Sequence, residues 1–330
     1  MNDEQARVTG NRSSTSDAPL TTHSAPAFPH PSSLIAWLQL VRLPNVFTAM
    51  ADICMGYLFT HASLELPLVF FWLLLASSCI YSAGMVLNDL FDYTVDLRER
   101  PGRPLPSGRI RRRTAVGLAV GLVAVGLAAA AGASIYSFLV AAVLVACVLL
   151  YDGWLKATPV GPLLMGGCRL LNVLLGMSAA ASPLLLGPNL FVALTIWLYV
   201  TSLTWFARRE AAVSVRLPLV LAALGMNLAF VLLLRLDLVL AGTADGPSHE
   251  QFWYYRFILL AAALWVNYTA WRAIAAPQPQ RVQAAVKSAI LSLILLDAAI
   301  VCAVRGPVWA AAVAALILPA ALVGRWIYST

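Results

Sequence analysis

Asn88-Asp89-Leu90-Phe91-Asp92-Tyr93-Thr94-Val95-Asp96, with Arg98, Arg100 and Arg103-Pro104-Leu105-Pro106-Ser107-Gly108-Arg109 close behind, is the one strongly charged stretch in an otherwise nearly apolar chain. An apolar segment from Leu66 to Leu87 runs straight into it. If that helix continues through the stretch, Asp89, Asp92 and Asp96 recur at steps of three and four and stand on one face, with Asn88 one turn before Asp92. Three carboxylates so close repel one another. A hard divalent cation removes the repulsion, and Mg²⁺ typically takes one or two carboxylates while keeping positions for water and phosphate oxygens. Arginines a few residues on then suit a diphosphate, because guanidinium is a permanently charged, bidentate donor. The bland alternative is a solvated loop whose charges only keep it in water.

Composition says what surrounds this stretch. Of 330 residues, 61% are hydrophobic and 11% charged, too little polar side chain to coat a soluble globule of this size, so the chain reads as an integral membrane protein. Apolar segments long enough to span a bilayer follow one another: Leu34 to Thr60, Leu66 to Leu87, Ala115 to Ala131, Tyr136 to Tyr151, Pro162 to Ala181, Asn189 to Ala207, Leu217 to Leu236, Trp253 to Ile274, Ala284 to Val304 and Val308 to Val323. Each must be a helix, since backbone polar groups in lipid need partners within their own segment. Residues 1–33, rich in Ser, Thr, Ala and Pro, read as a disordered cytoplasmic tail, and 34–330 as a single transmembrane domain. The five cysteines all lie in apolar runs without Cys/His clustering, which argues against a disulfide framework or zinc site.

The net charge of +7 does not point to nucleic acid. Loops on the side of the tail carry Arg98, Arg100, Arg103, Arg109, Arg111 to Arg113, Lys156, Arg208, Arg209, Arg216, Arg272, Arg281 and Lys287, whereas the other side has little beyond Arg235, Arg256 and Arg305. By the positive-inside rule the tail and the aspartate-rich loop face the cytoplasm, across an inner or cell membrane, and the charges face anionic lipid and an anionic substrate.

Within the spans, Asn45, Thr48 and Asp52 form a polar stripe, and a carboxylate at this depth must face the bundle interior and find a partner. Arg169 must likewise meet an anion: Asp52, Asp297, a carboxylate of the charged stretch or the substrate. After the fourth span, Tyr151-Asp152-Gly153-Trp154-Leu155-Lys156 offers a lysine for phosphate and aromatic faces for a cation, although any span end attracts Tyr, Trp and Lys.

N-D-x-x-D-x-x-x-D at 88–96, followed by R-P-L-P-S-G at 103–108, resembles the first aspartate-rich motif of the UbiA superfamily of intramembrane prenyltransferases. The resemblance implies an all-α polytopic bundle of about nine core transmembrane helices, with the segment from Val308 either a tenth, peripheral span or a re-entrant arm. It implies that Asp89, Asp92 and Asp96 hold Mg²⁺ against the diphosphate of an isoprenyl donor and are catalytic together with Lys156. Asn45, Asn88, Arg103, Tyr151, Arg169, Arg208, Arg209 and Glu210 are then the substrate-binding set, and Tyr93, Tyr151, Trp205 and Phe206 the aromatic faces for an allylic cation. Arg169-Leu170-Leu171-Asn172, Gly176-Met177-Ser178 and Thr204-Trp205-Phe206-Ala207-Arg208 look like the EboC-like branch.

The sequence departs from the superfamily after the sixth span. A second aspartate-rich motif belongs there, and Arg208-Arg209-Glu210-Ala211-Ala212-Val213-Ser214-Val215-Arg216 keeps one carboxylate, which puts two-metal chemistry in doubt. The expected function is Mg²⁺-dependent transfer of an isoprenyl group from an allylic diphosphate to an acceptor the sequence does not reveal. The rival is a non-catalytic lipid-diphosphate binding or transport protein on the same fold. An alcohol phosphatidyltransferase would need an Asp-Gly followed by Ala-Arg, which Asp152-Gly153-Trp154-Leu155-Lys156 does not supply.

Overall fold

Each of the ten apolar segments contributes helix to the computed structural model, which describes residues 33–64, 67–180, 184, 187–208, 213–241 and 248–327. In chain order the helices are α1 (Ser33–Leu40), α2 (Leu43–Thr60), α3 (Pro67–Phe91), α4 (Tyr93–Glu99), α5 (Arg112–Ala133), α6 (Ile135–Leu150), α7 (Gly161–Met177), α8 (Gly187–Ala207), α9 (Arg216–Leu233), α10 (Leu236–Val239), α11 (His249–Ala275), α12 (Pro279–Arg305), α13 (Pro307–Ala314) and α14 (Ile317–Trp326). Among the described residues, eight stretches are long and apolar enough to cross a bilayer, α13 and α14 together making one of them. The pair α1 and α2 makes a ninth, bent by 48°, and α7 is a shorter apolar helix. No strand occurs among the described residues. The tail up to residue 32 lies outside them.

Large apolar side chains cover much of the outer surface. Val120, Leu224, Phe257, Leu264 and Leu318 point outward without cover, which suits hydrocarbon rather than water. The chain is an integral membrane protein. Inside, one large cluster packs α12 against α2, α8, α11 and α13, and a second joins α2, α3, α5, α6 and α7 through Ile53, Tyr57, Leu73, Ile80, Leu144 and Leu175. Helix α2 belongs to both and crosses α7 very closely. A Cβ at Gly56 would lie 2.7 Å from the Val173 carbonyl oxygen, and one at Gly176 would lie 3.0 Å from Ile53 Cα, so glycine at both positions lets the two backbones touch.

Two breaks in the spans shape the charged end of the bundle. Arg42, at φ 49° and ψ 51°, is the one non-glycine residue with positive φ among those described, and Pro44 follows in the first turn of α2. Proline cannot continue a helix from α1 but suits the start of a new one, so the first span bends here instead of running straight from Leu34 to Thr60. The second break corrects an expectation. Helix α3 stops at Phe91, Asp92 takes φ −82° and ψ 0°, and α4 starts afresh at Tyr93. Asp89, Asp92 and Asp96 therefore do not share one continuous helical face.

Candidate active site

The loop after α4 is fixed from below by two apolar anchors. Leu105 and Ile110 enter a small cluster with Ala36, Leu40, Val86, Leu90, Ala115 and Ala119, contributed by α1, α3 and α5. Arg109 ties the loop to α1 by donating to the Gln39 side chain at 3.1 Å, and closes the turn by donating to the Gly102 carbonyl at 2.7 Å. Gly108 supplies the left-handed turn at φ 73°. With its ends pinned, the loop turns Arg103 inward until it is almost fully buried.

Arg103 is the hub. Its Nη1 lies 2.7 Å from Asp96 Oδ2 and 3.3 Å from Asp89 Oδ1, bridging two carboxylates that are themselves buried. Arg42, released from helix geometry by the bend, places Nη2 3.1 Å from the same Asp89 oxygen and 3.5 Å from Asn88 Oδ1. Asn88 donates in turn to Asp152 Oδ1 at 2.7 Å. Asp92 turns the other way, to Lys156 Nζ at 2.5 Å. Lys156 is delivered by a single π-helical turn, Tyr151–Leu155, closed by its own backbone N–H on the Tyr151 carbonyl. Such wide turns frequently mark functional sites. The carboxylates are thus relieved of mutual repulsion by three cations that the sequence brings from the bend before α2, the loop and the π-turn.

Asp89, Asp92, Asp96, Asn88, Arg103 and Lys156 come together in space, with Tyr151 in the same π-turn. Asn45 stands in the first turn of α2, above Thr48, which donates to its carbonyl at 2.7 Å. Arg169 is set deeper: its Nε meets Asp52 Oδ2 at 2.6 Å, while Nη1 and Nη2 reach the Thr48 hydroxyl and carbonyl at 3.2 and 2.6 Å. Of the anions open to it from the sequence, Asp52 is the partner. Arg208 donates to the Ala157 carbonyl at 2.8 Å, so the end of α8 is tied to the loop after Lys156. Arg209 and Glu210 lie outside the described residues. Trp205 faces outward and Phe206 is buried in the large cluster.

Two members of the site escape a reading of the sequence. Arg42 precedes a polar stripe on α2, and only the bend aims it at Asp89. Asp152 lies inside a stretch singled out for Lys156 and its aromatics; a buried carboxylate at a span end is the available signal.

Oxygen donors from Asn88, Asp89, Asp92, Asp96 and Asp152 are hard ligands of the kind Mg²⁺ takes. In this conformation the acidic side chains are matched by cations, and no three acidic, histidine or cysteine residues converge as a metal cluster among the described residues. The donor set fits the ion in kind. Arg42, Arg103 and Lys156, held beside it, fit a diphosphate.

Residues 49–293 match the UbiA prenyltransferase family. The chain belongs to that family. Curated relatives include the digeranylgeranylglyceryl phosphate synthases of Sulfurisphaera tokodaii, 33% identical over 124 residues (38% of this chain, 45% of the relative), and of Methanopyrus kandleri, 34% identical over 150 residues (44% and 55%). The chain thus spans about half the length of the curated relatives it matches. The UbiA fold is shared more widely. A solved digeranylgeranylglyceryl phosphate synthase superposes with a TM-score of 0.60 at 20% identity, covering 83% of this chain and 99% of that one. A UbiA homologue from Archaeoglobus fulgidus, bound to GPP and Mg²⁺, superposes with a TM-score of 0.57 at 16% identity, covering 85% and 99%.

Proposed function

We propose that this UbiA-family chain transfers an isoprenyl group from an allylic diphosphate to a membrane-dissolved acceptor, at the cytoplasmic mouth of the bundle. The observation that carries this reading is Arg103 clamped between Asp89 and Asp96 beside the Asp92–Lys156 pair: carboxylates for a metal and cations for a diphosphate, interleaved at the end of an apolar bundle. Asp89, Asp92 and Asp96 would hold Mg²⁺, which when bound supplies charge neutralisation to the leaving diphosphate. Arg42, Arg103 and Lys156 bind and orient the diphosphate oxygens, and their charge, already fixed in a water-poor site, favours departure of the diphosphate. Arg208 steadies the Lys156 loop, and Tyr151 offers a ring face to the allylic cation. Asn45 lies one turn inward from Arg42, where the donor's chain enters the bundle.

The donor class is supported by the GPP and Mg²⁺ of the Archaeoglobus fulgidus homologue, and the names of the relatives suggest a glyceryl phosphate carrying one geranylgeranyl chain as the first acceptor to try. Purified protein with Mg²⁺, a panel of allylic diphosphates and that acceptor should release diphosphate, and chelation should abolish the release. The reduced second motif favours one other reading, a lipid-diphosphate carrier. Saturable donor binding without release across the panel would establish the carrier instead.

A further inference from the structure

Two turns below the mouth, where α2 packs against both α7 and α12, lies a second polar cluster that donor chemistry does not use. Asp52 of α2 and Asp297 of α12 are completely buried. Asp52 Oδ2 is saturated, by Arg169 Nε at 2.6 Å and by Asn172 Nδ2 at 2.8 Å; Asn172 also donates to the Ala49 carbonyl and accepts from Ser77. The two other guanidinium nitrogens of Arg169 are spent on Thr48. Nothing donates to Asp52 Oδ1 or to either oxygen of Asp297 among the described residues. Yet the two carboxyl groups lie within hydrogen-bond reach of each other.

Two carboxylate oxygens at that range cannot both be bare. Their lone pairs repel, and two negative charges against one guanidinium leave a net charge of −1 in a region closed to water, where an unpaired ion is very expensive. A hydrogen atom between them is the missing donor. The other titratable groups near the pair are Arg169 from α7, Cys54 from α2 and Tyr81 from α3, and only Arg169 brings a positive charge.

We infer that Asp52 and Asp297 form a proton-binding site, holding one proton between Asp52 Oδ1 and an Asp297 oxygen at neutral pH, so that the triad with Arg169 is electrically neutral inside the bilayer. The pair positions rather than catalyses. It holds Arg169 so that the guanidinium clamps Thr48, and Thr48 caps the Asn45 carbonyl on the turn that faces the mouth. Neither carboxyl group touches the residues assigned to the donor diphosphate, and the proton would be held whether or not the bundle transfers an isoprenyl group.

Infrared difference spectroscopy in an ester-free detergent tests it. The wild-type protein at neutral pH should show a carboxylic-acid C=O band that shifts in D₂O and persists into mildly alkaline buffer. The band should vanish in both Asp297→Asn and Asp52→Asn, since either amide removes the shared proton while keeping the shape. Asp297→Asn, whose amide can donate to Asp52 Oδ1, should fold and melt within a few degrees of the wild type. A wild-type spectrum without that band overturns the inference and needs no variant to fold. So does a band that survives in both variants, or a wild-type melting temperature that depends on Na⁺ or K⁺ while that of Asp297→Asn does not, which would make the bound cation a metal ion.

Discussion

Asp92 and Lys156 are the more open pair at the mouth, with side chains 27% and 25% exposed although the Lys156 ammonium itself is covered, whereas Asp89, Asp96 and Arg103 are nearly closed off. That difference separates two kinds of substitution. Asp92→Asn keeps the shape and removes a partly exposed charge while leaving an amide oxygen to accept from Lys156, so the protein should still express and fold while Mg²⁺-dependent donor binding falls at least tenfold; binding within twofold of wild type would remove Asp92 from the metal site. Arg103→Ala strips the bridge from two buried carboxylates. Breaking a buried ion pair by deleting one partner costs about 3–5 kcal/mol, and detergent-solubilised protein should show a loss of that order in equilibrium unfolding. Arg103→Lys should recover only part of it, because a point charge does not replace the guanidinium fork. Local spacing announced Asn88, Asp89, Asp92, Asp96 and Arg103, since chemistry and proximity coincide within one stretch. Arg42 and Asp152 enter through backbone geometry, and no residue count along the chain contains a left-handed residue or a π-turn.

At the scale of helices, hydropathy located every segment because lipid leaves a backbone no other choice. It missed the breaks at Arg42 and Asp92, where one residue departs from helical dihedrals without any change in apolar content. Contacts across helices were also illegible: Arg169 had four possible anions in the sequence, and the close crossing of α2 and α7 chose Asp52. That crossing makes its own prediction. Gly176→Ala would put a methyl group 3.0–3.1 Å from the backbone of Ile53 and Asp52, and overpacking of this kind costs about 1–3 kcal/mol. Gly121→Ala on α5, with nothing within 4 Å of the added methyl, should stay within about 0.5 kcal/mol of wild type. Thermal unfolding of the two variants side by side checks the contrast; equal losses would mean that the glycines of α2 and α7 are not what sets the helix separation.

For the whole molecule, the uneven spread of Lys and Arg between the two ends predicts that the aspartate-rich loop faces the cytoplasm. Gly102 is exposed, with open space where a side chain would begin, so Gly102→Cys should resist an impermeant thiol reagent in intact cells and react after permeabilisation. Labelling of intact cells would invert the molecule. The mouth also has a thermodynamic character of its own. Because Arg42, Arg103 and Lys156 serve as counter-ions to the carboxylates, a divalent cation arriving alone must displace them, and a diphosphate arriving alone must draw them off and leave the carboxylates bare. Each ligand prepares the site for the other. Linkage requires the gain to be mutual, and couplings of this kind are typically about 5–150-fold in affinity. Calorimetric titration should therefore find Mg²⁺ binding weakly to the free protein and at least tenfold more tightly once an unreactive thiodiphosphate is present, with the analogue gaining by the same factor when the order is reversed. An enzyme wired in this way would ignore cellular magnesium until its lipid substrate arrived.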